Sequence, residues 1–172
     1  MGTMRPARRP RGWRAPGPRP AGPGDDATLL PVAGEDLCHL AGDWRIFQHV
    51  GGHRWSLDDL ATAWMAALET SSRPPARVAD LGCGIGTVLM LLAWRFVDAR
   101  CEGIEAEAEK ASLARRSIRW NGCADRCAIR VGDLRDASAL DGTFDLITGT
   151  PPYLPRGTAT EPARADRGPW HF

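Results

Sequence analysis

Lysine is almost missing from this chain. Of its 22 basic residues, Lys110 is the single lysine and the rest are arginine, a bias we ascribe to GC-rich coding rather than to function. No stretch comes near the ~18–20 apolar residues that a membrane span needs. The run around Val88–Ala93 has the length of a buried helix core, so no membrane partner is expected. No second Cys/His pair accompanies Cys123-x3-Cys127, so the ligand count of a zinc site is not met and no metal is assigned. The five cysteines, an odd number, are expected to be reduced thiols of a cytosol-like compartment, and the protein is expected to be cytoplasmic. Acidic residues are absent from positions 1–24, which hold six arginines, so the net charge of +1 hides a basic segment on a mildly acidic remainder.

What is present is enough for one globular domain, since 172 residues of which 43% are hydrophobic can bury a real core. Four stretches are expected. Residues 1–30 form an Arg/Pro/Gly-rich arm, whose first 24 residues offer almost nothing apolar to bury and are expected to be disordered. A tail without a partner and a nucleic-acid-binding arm both fit that composition, and its prolines argue against the amphipathic helix of a transit peptide. Residues 31–76 are expected to hold a small hairpin and a helix. Gly51-Gly52 between "DWRIFQHV" and "HRWS" predicts the hairpin turn. Ser56 as N-cap with Asp59 three residues on predicts a helix from Leu57 to about Glu69, with Leu60, Ala61, Trp64 and Leu68 on one face.

From residue 77 strands and helices alternate. Strands are predicted at Arg77–Leu81, Arg100–Glu105, Cys127–Gly132 and Phe144–Gly149, helices at Thr87–Phe96 and Ala106–Trp120, and a short segment near Asp136–Leu140. Such alternation predicts parallel βαβ units with right-handed crossovers, an α/β fold. The glycine loop "ADLGCGIGT" leaves the first of these strands and opens a helix, and Gly82, Gly84 and Gly86 allow a tight turn and close approach to a ligand. Its G-x-G-x-G spacing departs from the G-x-G-x-x-G dinucleotide fingerprint. Asp80 beside it would repel a pyrophosphate and suits a cationic ligand bearing an ammonium and a sulfonium. Glu105, at the next strand end, can accept both hydroxyls of a ribose, and Asp133 can accept from an adenine amine while Leu134 packs on the ring.

In this order and spacing the residues resemble the class I S-adenosylmethionine-dependent methyltransferases over about 77–153. Asp80-Leu-Gly-Cys83-Gly-Ile-Gly86 resembles their first motif, Glu105 their ribose acid, and Gly132-Asp133-Leu134 their adenine motif. The resemblance implies a Rossmann-like parallel sheet with helices on both faces, S-adenosyl-L-methionine as cofactor, and cofactor contacts from Asp80, Gly82, Cys83, Gly84, Gly86, Glu105, Asp133 and Leu134. Thr150-Pro151-Pro152-Tyr153, at the end of the last predicted strand, resembles the Asn/Asp-Pro-Pro-Tyr/Phe turn of methyltransferases acting on planar amines, with Thr150 where they carry Asn or Asp. The plainer reading of Pro151-Pro152 is a strand terminator. Residues 42–64, with Trp55-Ser56-Leu57-Asp58, resemble the opening segment of the bacterial tRNA(Val) adenine-N6 methyltransferase family. The resemblance implies methyl transfer to an exocyclic amine, adenine N6 of a tRNA or other RNA, with RNA as partner. Methylation of a protein glutamine or a small molecule, and a fragment that binds cofactor without catalysis, are the alternatives.

Residues 154–172 hold three prolines and no strand pattern, so they are expected to be irregular. The family it resembles has further strands after the catalytic turn. The chain is therefore expected to lack carboxy-terminal strands, to leave Phe144–Gly149 as an open edge, and to be aggregation-prone and weakly active by itself.

Overall fold

A computed structural model describes residues 2–4, 9–51, 54–136 and 142–150. In chain order its elements are β1 (Thr3–Met4), β2 (Glu35–His39), β3 (Arg45–His49), α1 (Leu57–Glu69), β4 (Arg77–Leu81), α2 (Thr87–Arg95), β5 (Arg100–Glu105), α3 (Ala108–Asn121), β6 (Cys127–Val131) and β7 (Leu146–Gly149). The last four strands form a parallel sheet in the order β6-β5-β4-β7. Two right-handed crossovers that step in the same direction, β4-α2-β5 and β5-α3-β6, place α2 and α3 on one face. Side chains that alternate to the other face, Ala128, Arg130 and Ile147, are exposed. Within the described residues, the expectation of helices on both faces is thus met on one.

The strand residues on the face that α2 and α3 cover are small or β-branched and buried, Val78, Cys101 and Ile129, and Ala79 and Ile104 on the opposite face are buried as well. α2 is apolar all round and every residue from Thr87 to Ala93 is buried, the pattern of a helix enclosed on several sides. It packs between α1 and the sheet, on β4 and β5. α3 is two-sided, with one flank on β5 and β6 and the other on β3. No described helix is long and apolar enough to cross a membrane.

The hairpin differs from expectation. β2 pairs antiparallel with β3, from Glu35↔His49 to His39↔Arg45, so the turn lies at residues 40–44 rather than at Gly51-Gly52. Gly42 adopts φ +55° there, and the backbone of Leu40 and Trp44 closes the turn, Leu40 N–H donating to the Trp44 carbonyl at 2.9 Å. The register buries Leu37, Ile46 and Phe47 together, which a turn ten residues later would not do.

The outer edge of β3 is closed by side chains instead of by another strand. Asn121 Oδ1 accepts from Arg45 N–H at 2.9 Å and its Nδ2 donates to the Arg45 carbonyl at 2.7 Å. Ser117 Oγ accepts from Phe47 N–H at 2.9 Å and donates to the Leu113 carbonyl. Two polar residues of α3 thereby supply the bonds that a neighbouring strand would. Arg116 ties the same helix to the amino-terminal part by an ion pair with Glu35 at 2.6 Å and by bonds to the Thr28 and Leu30 carbonyls.

The arm also takes a defined course within the described residues. Positions 9–24 have no regular structure, yet Gly22 N–H donates to the Trp120 carbonyl at 2.9 Å and Arg9 pairs with Asp43. Gly17 lies so close to the Trp94 indole that a Cβ would overlap it at 2.3 Å. Low hydrophobicity suggested disorder; the Trp94 indole of α2 supplies an apolar surface that the arm itself lacks, and the Trp120 carbonyl of α3 supplies a backbone tie.

α1 begins as expected, with Asp59 Oδ2 accepting from Ser56 N–H at 2.9 Å. Its buried side is Ala63 with half-buried Ala66 and Ala67, where small residues let α1 approach α2. The face of Leu60, Ala61, Trp64 and Leu68 is exposed, joined by Met65. β7 starts at Leu146, because Asp145 turns its carboxylate to the N–H groups of Ala76 and Arg77, both at 2.9 Å, and closes the entrance to β4. Of the predicted segment near Asp136–Leu140, only Asp136 is described.

Replacing Asn121 tests the closed edge. Asn121→Ala leaves a half-buried N–H and a half-buried carbonyl of Arg45 without the amide that bonds them and is expected to cost about 1–3 kcal/mol in urea unfolding, with an unchanged m-value. A cost below about 0.5 kcal/mol would mean that water replaces the amide.

Candidate active site

Every candidate side chain that the structure describes lies at a carboxyl end of a parallel strand, where open α/β sheets bind ligands. Asp80 sits opposite Gly103 and Thr148 in register, and Glu105 opposite Val131. The connection from β4 to α2 turns three times through positive φ, at Gly82 (+66°), Gly84 (+57°) and Gly86 (+84°), which only glycine adopts without strain. Gly86 is also the N-cap of α2, and a Cβ there would meet Ala114 Cβ at 3.1 Å, so this glycine lets the loop settle against α3.

Glu105 holds that loop. Its Oε2 accepts from Gly84 N–H and its Oε1 from Glu107 N–H, both at 2.8 Å, while its side chain is only 7% exposed. The loop is tied a second time by Cys83 N–H donating to the Ile104 carbonyl at 2.9 Å. A carboxylate offers about four acceptor positions, so two remain, the number a vicinal diol requires. Ribose hydroxyls therefore fit the free capacity of Glu105.

Asp80 is the most confined charge, 2% exposed. Burial pushes its carboxyl up to about 6, and the negative charges of Asp59 and Glu105 add to the rise. Hydrogen bonds from the Thr148 hydroxyl and the Leu89 backbone N–H oppose it. The repulsion that Asp59 and Glu105 exert on Asp80 would be relieved by a bound cation, which fits a ligand with an ammonium and a sulfonium. Among the described residues no cluster of three or more His, Cys, Asp or Glu could hold a metal ion.

Other candidates are placed differently from expectation. The Cys83 side chain points into the sheet, where a Cβ on Gly103 would meet its Sγ at 2.7 Å, and burial pushes its thiol far up. Cys83 thus offers a ligand no thiolate, and its backbone N–H and carbonyl are already bonded to the Ile104 carbonyl and the Gly86 N–H. Asp133 is engaged by Arg135, whose backbone N–H and Nε both donate at 2.9 Å, and this pair holds its carboxyl down at about 2. An adenine amine would share that carboxylate with Arg135. Leu134 is half exposed beside it, and Gly132 N–H donates to the Glu105 carbonyl at 3.0 Å, which brings this segment to the ribose acid. Gly149 pairs with Leu81, so the exposed Thr150 leaves the sheet next to the glycine loop. Pro151, Pro152 and Tyr153 lie outside the described residues.

Sequence reasoning missed two residues here. Thr148 bonds Asp80 across neighbouring strands, with Oγ1 at 2.8 Å from Oδ1, and only the strand order brings them together. Gly103 makes room for Cys83; a glycine in mid-strand was the available signal of a close approach.

Residues 78–158 match the family described as a methyltransferase domain. This segment, with its parallel sheet and glycine loop, is similar to that methyltransferase domain. Among relatives, the chain is 37% identical over 99 residues to the tRNA1(Val) (adenine(37)-N6)-methyltransferase of Porphyromonas gingivalis, covering 55% of this chain and 38% of that protein. It is 40% identical over 101 residues to the 4-amino-L-phenylalanine/4-methylamino-L-phenylalanine methyltransferase of Streptomyces pristinaespiralis, covering 58% of this chain and 33% of that one. The chain is 32% identical over 94 residues to a release factor glutamine methyltransferase of Chlorobaculum tepidum, covering 53% of this chain and 32% of the relative. It thus spans about a third of the length of these relatives. A solved structure of P. horikoshii TYW2 in complex with MeSAdo superposes with a TM-score of 0.50 at 19% identity, over 63% of this chain and 39% of that one.

Asp80 also makes a stability prediction. Its folded pKa stands above the unfolded value, so the stability it contributes is complete below about pH 4 and is lost as pH rises through about 6. Asp80→Asn is expected to be more stable than the wild type at pH 7.5, by up to about 3 kcal/mol, with the difference shrinking toward pH 4 in thermal unfolding. A difference independent of pH would contradict the raised carboxyl.

Proposed function

We propose that this domain binds S-adenosyl-L-methionine and transfers its methyl group to an exocyclic amine, with adenine N6 of an RNA as the leading substrate. The observation that carries the reading is the Glu105 carboxylate, which pins the glycine loop at Gly84 and keeps acceptor capacity for a ribose. When bound, the cofactor supplies an electrophilic methyl on a sulfonium. Asp80 and Glu105 orient it through its cationic end and its ribose, and Asp133 with Leu134 flanks the adenine. The Thr150-Pro151-Pro152-Tyr153 turn receives the acceptor amine, whose lone pair is delocalised into its ring. The Thr150 hydroxyl and a rigid proline-turn carbonyl accept its hydrogens and keep the nitrogen aimed at the methyl. The resemblance gives Tyr153 the part of stacking on the base, a contact worth about 1–3 kcal/mol. As the N–C bond formed, the C–S bond would break to release S-adenosylhomocysteine, and the methylated nitrogen would lose its proton to water, so no general base is required.

Two relatives support an aromatic amine as acceptor, since their names specify adenine N6 and 4-amino-L-phenylalanine. RNA is favoured over a free amino acid by the arm, where Arg11, Arg14 and Arg19 are exposed alongside Trp13. A second reading, methylation of a protein glutamine or small molecule, draws on Thr150, whose shorter side chain departs from Asn/Asp, and on the acidity of the domain outside its arm.

Incubation of the full chain with tritium-labelled cofactor and total RNA or protein separates these readings. Label in a nuclease-sensitive product is expected; label in a protease-sensitive product would replace RNA by protein. The cofactor assignment is tested by calorimetry with S-adenosylhomocysteine. Glu105→Ala is expected to lose roughly 10- to 100-fold in affinity. Unchanged affinity would reject the ribose role.

A further inference from the structure

Thr148, the hydrogen-bond partner of Asp80, has no contact with the cofactor or the acceptor in the proposed function, yet it is a hydroxyl 8% exposed within a strand. Its Oγ1 lies 2.8 Å from Asp80 Oδ1 and 3.3 Å from the Ala79 carbonyl, with parallel pairing holding Thr148 directly beside Asp80. A hydroxyl has one hydrogen to donate and lone pairs to accept with. Beside an ionised Asp80 the hydrogen goes to the carboxylate. Beside a protonated Asp80 the hydroxyl accepts from the acid and turns its own hydrogen to the Ala79 carbonyl. Both states are satisfied without any backbone movement.

We propose that Thr148 is a positioning residue for cofactor binding, fixing the Asp80 carboxylate and re-aiming its single hydrogen as Asp80 takes up or releases a proton. The inference rests on the reading that the site takes S-adenosylmethionine. Every charged group that acts on Asp80 opposes its ionisation: Asp59 from α1 and Glu105 from β5, while the Cys83 thiol of the loop, itself pushed far up, stays neutral beside it. The Leu89 N–H from α2 and the Thr148 hydroxyl from β7 support it. A cationic ligand thus binds best with Asp80 ionised and drives a proton out at mildly acidic pH. Thr148 sets where that exchange occurs, and it does so from the strand that leads into the proposed catalytic turn.

Calorimetric titration of S-adenosylhomocysteine, which keeps the ammonium, tests this from pH 5.5 to 8.5. Wild-type affinity is expected to fall as pH decreases. In Thr148→Val the fall should begin about one unit higher, giving several-fold weaker binding near pH 6.5 and near-wild-type binding at pH 8.5. Thr148→Ser should restore the wild-type profile. A Thr148→Val profile equal to wild type, or a loss independent of pH, would overturn the inference. Ligand-free thermal unfolding over the same pH range is the companion readout. The Thr148→Val midpoint for Asp80 titration should move up there as well, and an unmoved midpoint would overturn the coupling itself. Absence of wild-type binding alongside a moved midpoint would overturn the cofactor reading and leave the hydroxyl–carboxylate pair in place.

Discussion

The interaction on which the site depends is the Glu105 carboxylate accepting the backbone N–H groups of Gly84 and Glu107. One side chain at the end of β5 fixes the loop that leaves β4 and the turn that enters α3. Without that anchor, a loop with three left-handed glycines would have many conformations and no reason to present one surface. With it, the amino end of α2, the ends of β4 and β5 and the segment after β6 form a single rim. The buried packing beneath, Val78, Leu89, Ile104 and Ala114, places these ends so that a short carboxylate reaches both amides.

The same rim concentrates negative charge, which is costly in the free protein. Asp80 is the clearest instance, held near 6 by burial although a helix-terminal N–H and a hydroxyl both favour its ionised form. Such an arrangement costs stability in the free protein and suits the cationic ligand we propose. Acid at the glycine loop is also what separates this site from one that binds pyrophosphate at a helix amino terminus, where the same turn would need no carboxylate.

Much of the core was legible in the sequence because its signals are local. β4, β5 and the start of α2 fall where glycine spacing and apolar runs place them, and the Ser56–Asp59 cap opens α1 at Leu57. What was illegible depends on tertiary partners. The hairpin turn at 40–44 was passed over for Gly51-Gly52, because Gly42 alone is a weaker local signal than two glycines. The apolar stripe of α1 suggested its core face, yet contact with α2 is made through Ala63, Ala66 and Ala67, where small size matters more than hydrophobicity. The arm's polarity hid its contacts with Trp94 and Trp120, and Asp133 read as a free acceptor because Arg135 two residues on has no signature of its own. Thr148 became meaningful only once β7 was seen beside β4.

The central claim is that the Glu105-anchored loop and the neighbouring strand ends form one cofactor pocket. Hydrogen–deuterium exchange of the full chain with and without S-adenosylhomocysteine tests it most directly. The account predicts slower exchange on binding at residues 80–86, 103–107 and 132–135, with the hairpin at 35–50 unchanged. Unaltered exchange at 80–86 and 103–107 with saturating ligand, or protection confined to the hairpin, would contradict it.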